Sequence, residues 1–151
     1  MNVKKREEAV QRCEAYRKMG YACSESVFRA LADVFAIPVS RELCRSISIF
    51  AGGAAYDGRC GVLEAGLALT AVLEAQGRIT PLPPGQRQRQ MHQLFAQEHD
   101  GFLCSQIFYP RYEEYKKCHE SEEDFQCVFM TGISLLADYM DGCLCQGGPE
   151  Q

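Results

Sequence analysis

The sequence predicts an all-α protein, a compact single-domain bundle of roughly six or seven helices. Three observations predict it. Apolar residues return at three- and four-residue spacing in nearly every segment. Prolines and the glycine-rich clusters fall between those segments. No stretch shows the apolar–polar alternation of a half-buried strand.

Each element follows from its residues. Residues 3–19 are rich in helix formers, with Val10, Cys13, Tyr16 and Arg17 at helical spacing, and Gly20 is a stop. Residues 23–36 carry an apolar stripe of Val27, Phe28, Leu31, Val34 and Phe35, closed by Pro38. Ser40 is an N-cap for a helix with Leu43, Cys44, Ile47 and Phe50 on one face. Residues 51–58 are too rich in glycine and alanine for a strand and read as a flexible turn. Residues 60–76 are apolar nearly all round, so they read as a buried helix. Small residues Gly61, Ala65, Gly66 and Ala68 would let another helix approach it closely. Pro81, Pro83 and Pro84 form a rigid connector into an amphipathic helix over 85–98, with Met91, Leu94 and Phe95 inward. Tyr109, Tyr112 and Tyr115 recur at helical spacing beside a charged face. The last helix, over 122–140, carries Phe125, Val128, Phe129, Ile133, Leu136 and Ala137. Residues 143–151 read as a flexible tail beyond a helical cysteine-rich domain at 1–142.

The bulk numbers bound the function. At 151 residues the chain suits one domain whose core needs no disulfide staples. A composition 46% apolar and 24% charged argues against disorder. A net charge of -4 and a pI near 5.4 leave no basic face for nucleic acid. No apolar run approaches the roughly 20 residues of a membrane span. The polar start lacks the apolar core of a secretory signal, so a cytoplasmic location is expected.

In such a compartment the nine cysteines read as redox-active or metal-binding rather than as a disulfide framework. Three have a shared placement. Gly20-Tyr21-Ala22-Cys23-Ser24 is echoed by Gly101-Phe102-Leu103-Cys104-Ser105, and Cys60 follows Gly58 at the start of a helix. A cysteine at a helix N-terminus meets unpaired amides and the positive end of the macrodipole, which favour thiolate. Cys13 and Cys44 sit mid-helix on apolar faces and are read as core, and core packing is a serious rival at Cys127. Cys118, beside His119, and the Cys143/Cys145 pair are open to several roles.

These features resemble the redox-active proteins named for a C_GCAxxG_C_C signature. The features are Gly20-x-x-Cys23-Ser24, the Phe50-Ala51-Gly52-Gly53 turn, Cys60-Gly61, Gly101-x-x-Cys104 and Cys127-x-x-x-x-Gly132. The likeness covers residues 7–140. It implies that four cysteines, Cys23, Cys60, Cys104 and Cys127, share a site.

Three functions are weighed. The first is dithiol/disulfide exchange or electron transfer, with Cys60 beside Arg59 as attacking thiolate and Cys23 or Cys104 resolving. Glu64, one turn after Cys60, would accept its proton or oppose its ionisation. The second is a zinc or iron–sulfur site held by Cys23, Cys60, Cys104 and Cys127. The third is a non-catalytic helical binding module whose cysteines fill the core. His92 and His99 share a helix face and are read as solvated rather than as ligands. Ser24 and Ser105 are read as caps. The redox partner is unidentified, and self-association into a homo-oligomer stays open.

Overall fold

The structure, a computed structural model, describes residues 2–98, 101–103 and 122–147, with side chains throughout except at residues 57, 122–130 and 147. Asn2 caps the first helix by accepting the Lys5 amide, and α1 (Val3–Lys18) buries Ala9 and Cys13. The helix α2 (Cys23–Val34) begins three residues after Gly20. It ends where Ala36 turns left-handed at φ 49 and the Ile37 amide reaches back to the Ala32 carbonyl at 2.8 Å. Arg78 donates to the carbonyls of Phe35 and Ala36, so a distant loop closes this helix end.

Ser40 accepts the Leu43 amide at 3.0 Å and starts α3 (Arg41–Ser46). The single helix expected over 40–50 instead changes pitch at Ile47, where a 3-10 turn (Ile47–Phe50) takes over. It buries Ile47 and turns Ile49 outward. The central helix α4 (Gly61–Ala75) packs α2 on one side and α5 (Gln86–Glu98) and α6 (Glu122–Gly147) on the other, with α1 lying between α2 and α6. Phe28, Leu31, Leu63, Leu69, Leu73 and Phe95 are fully buried between these helices. Each such side chain contributes about 1.5–3 kcal/mol from burial alone. The protein is therefore all-α, and its only β pairing among the described residues is an isolated bridge between Arg59 and Leu103.

Close approach to α4 depends on missing side chains. A Cβ at Gly66 would overlap Leu136 of α6, and one at Gly132 would lie 3.1 Å from Val62. The last helix continues to Gly147, into the residues expected to form a loose tail after 142. Met140, Cys143 and Leu144 extend its apolar stripe at helical spacing, with Met140 fully buried and the other two packed on the core. Arg6 grips Asp138 through Nε at 3.3 Å and Nη2 at 2.7 Å, which ties α1 to the same helix. No helix among the described residues is long and apolar enough to cross a membrane.

Candidate functional site

The segment between the 3-10 turn and α4 has a defined shape. Gly52, Gly53, Ala54 and Ala55 are all left-handed, with φ of 66, 64, 57 and 62. The Gly58 amide bonds the Gly53 carbonyl at 2.8 Å and closes the turn. The flexible turn expected here is thus a wound one. Glycine takes this conformation freely, but each alanine costs about 1–2 kcal/mol in it. Strain of this kind persists where the surrounding structure holds a site in place. Tyr56, at the end of the turn, is 93% exposed.

Cys23 lies against this turn. It is the first residue of α2, and its N-cap, Ala22, has no side chain to take up the helix amides. Burial pushes the Cys23 thiol up, against the pull of the Gly52 amide, Arg17 and the amides of Ser24 and Cys23 itself. The helix-start amides are present as expected, but desolvation outweighs them. The resting form is the thiol.

Cys60 is the N-cap of α4 and only 1% exposed. Its amide donates to the Phe102 carbonyl at 2.8 Å, and the adjacent Arg59 pairs with Leu103, so residues 101–103 run alongside it. The His92 and Phe102 rings meet in a T-shaped contact with centroids 4.9 Å apart, bracing that segment from α5. Arg59, expected to act on Cys60, also forms an ion pair through its Nε with Glu64 Oε1. That oxygen is buried and has no hydrogen-bond donor among the described residues.

The two helix starts meet at Gly61. A Cβ there would stand 2.7 Å from the Phe50 carbonyl oxygen and 3.3 Å from Ser24 Cβ. Cys23 and Cys60 are each one residue from this contact. Ser24, expected as a cap, instead lies inside α2 and donates to the Ile47 carbonyl at 2.7 Å, fixing α2 to the 3-10 turn. Below it Glu25, fully buried, takes Arg29 Nε at 2.8 Å and Arg45 Nη1 at 3.4 Å. That triad fixes the first turn of α2 from the other side.

Residues 21–136 match the family described as "putative redox-active protein (C_GCAxxG_C_C)". The chain belongs to this family. No curated protein and no solved structure matches the chain. Cys23, Cys44, Cys60, Cys104, Cys118 and Cys127 fall inside the family span, and Cys13, Cys143 and Cys145 fall outside it.

Within this redox-active family's span, Cys104, Cys118 and Ser105 lie outside the described residues, as does His99. Cys127 is on α6, five residues before the Gly132 contact with α4, and its side chain is not among those described. Cys13 and Cys44 are buried, as their apolar faces led us to expect, and burial pushes both thiols up, Cys13 to about 12. Among the described residues no three His, Cys, Asp or Glu side chains gather to hold a metal. What sequence reasoning missed was the role of Gly52 and the buried Glu25 with its two arginines. The Gly52-Gly53 pair was a signal for the first. An acid at the third position of an amphipathic helix gave none for the second.

Proposed function

We propose that this protein carries electrons through thiols, exchanging a disulfide on a partner for one formed among Cys23, Cys60, Cys104 and Cys127. The observation that supports this best is the contact at Gly61, where the starts of α2 and α4 meet with Cys23 and Cys60 one residue away. Cys104 is the next residue in sequence after Leu103, which pairs with Arg59.

The burial of Cys60 supports an order of attack that is the reverse of the one expected from sequence. Cys60 is closed off from reagents, whereas Cys23 is partly exposed. In this reading Cys23 loses its proton and attacks one sulfur of the incoming disulfide, releasing the other as a thiolate that takes up a proton. Negative charge on the Cys23 sulfur is met by the Gly52 and Ser24 amides. A second thiol of the set then attacks the mixed disulfide, leaving an intramolecular disulfide and the partner's second thiol. Two electrons pass from the pair of thiols to the partner.

The test uses an aromatic disulfide as electron acceptor, with Cys143 and Cys145 both replaced by serine. Cys23→Ser is expected to abolish rapid release of the aromatic thiolate, and Cys60→Ser to slow resolution so that the mixed disulfide on Cys23 accumulates. Unchanged exchange in folded Cys23→Ser protein would refute the reading. Stoichiometric metal lost on that substitution would assign the thiols to a metal centre instead.

A further inference from the structure

A second cysteine site lies at the other end of α4, and its thiol, Cys143, falls outside the residues matched to the family. The loop after α4, the start of α5 and the last turns of α6 line an open cavity of about 470 Å³. That is the size range of small-molecule pockets. Its wall includes Thr80, Arg87, Gln90, Asp138, Tyr139 and Cys143.

Arg87 organises this wall. It is only 7% exposed, and its guanidinium is tied at four points. Nε donates to Glu74 Oε1 at 2.8 Å, and Nη2 to the Thr80 carbonyl at 2.9 Å. Nη1 donates to the Tyr139 hydroxyl at 3.2 Å and to Cys143 Sγ at 3.4 Å. Tyr139 passes its own proton to Gln90 Oε1 at 2.7 Å. Burial, and then the neighbouring Cys143, push the Tyr139 phenol up, so it remains a hydroxyl donor. A half-buried thiol is therefore held on a cavity wall by a hydrogen bond from a fixed cation.

We infer that Cys143 is a second reactive thiol, which takes up a small amino-acid-type disulfide from this cavity and becomes a mixed disulfide. The charge on the wall selects the class of ligand. Arg87 is balanced by Glu74, and Asp138 by Arg6, so the lining carries both signs and no net charge. A disulfide bearing an ammonium and a carboxylate on each half suits such a wall better than an anionic one. In the reaction Cys143 gives up its proton and attacks one sulfur, the ligand's S–S bond breaks, and the released thiolate takes up a proton. The ligand's own disulfide is the oxidant: the Cys143 sulfur is oxidised and the released half is reduced to a thiol. The negative charge shared among three sulfurs at the midpoint is met by Arg87 Nη1, already in place. Product release leaves the protein carrying one half of the ligand.

Cys145, two residues on and exposed, is the internal control. Exposure alone would label Cys145 first. The experiment incubates reduced, folded protein with limiting cystine and follows each cysteine by peptide mass mapping. Cys143 is expected to be modified at least about tenfold faster than Cys145, and Arg87→Met to erase that preference while leaving Cys145 unchanged. Cystine is expected to outrun oxidised glutathione at Cys143. Equal or faster labelling of Cys145 in the wild-type protein overturns the inference, and that ratio decides even where Arg87→Met fails to fold. Equal rates for cystine and oxidised glutathione at Cys143 overturn the assigned ligand class.

Discussion

Cys13 and Cys23 show how burial governs a thiol when helix amides and cations compete with it. At Cys13 desolvation dominates, and the thiol moves from its ordinary 9.0 to about 12. The sign follows from linkage. A raised folded value gives stability that is full below 9.0 and is lost as pH rises towards 12. Cys13→Ala is expected to flatten the decline of the urea midpoint over that window, while costing about 1 kcal/mol or more at neutral pH. The decline should shrink rather than vanish, because Tyr16, hydrogen-bonded to Asp33, is also pushed up to about 12. An identical alkaline profile in the variant would count against this account. For Cys23 the raised thiol means that alkylation should keep accelerating with pH beyond the ordinary thiol range, rather than level off near neutrality. A plateau near neutral pH, measured on the folded protein, would show the amides winning over burial.

At the scale of elements, three glycines separate close packing from mere permissiveness. Gly61 meets the Phe50 carbonyl, a backbone atom that cannot rotate away, and Gly66 meets the fully buried Leu136 side chain. Alanine at either is expected to destabilise by about 1–3 kcal/mol through overpacking. Gly61→Ala should also disturb thiol exchange at Cys23, because it pries α4 from the start of α2. Gly142 lies inside α6 with nothing within 4 Å of an added Cβ, so alanine there should stabilise by up to about 1 kcal/mol. Thermal unfolding of the three variants checks the contrast, and equal behaviour of Gly61→Ala and Gly142→Ala would refute it.

Across the whole molecule, the helices were legible because burial repeats along them every three to four residues. The stripe from Val27 to Leu31 and the cap at Ser40 are examples. The close approach to α4 was legible too, in the small residues between Gly61 and Ala68. Less legible were features made by contacts across the chain. The glycine-rich segment after Phe50 read as flexible, because four successive left-handed residues leave no periodic signal. The continuation of α6 through Cys143 and Cys145 was hidden by Gly142, although Met140 and Leu144 carried its stripe onward. Cys60 looked like the attacking thiol from its place at a helix N-terminus and its neighbour Arg59. Its burial, and the engagement of Arg59 by Glu64, depend on packing that spacing does not encode. The central claim is that thiols far apart in sequence work as one redox set. Peptide mapping after mild oxidation of the native protein tests it most directly. The account expects an intramolecular disulfide joining two of Cys23, Cys60, Cys104 and Cys127. All four still reduced, with oxidation confined to other cysteines, would contradict it.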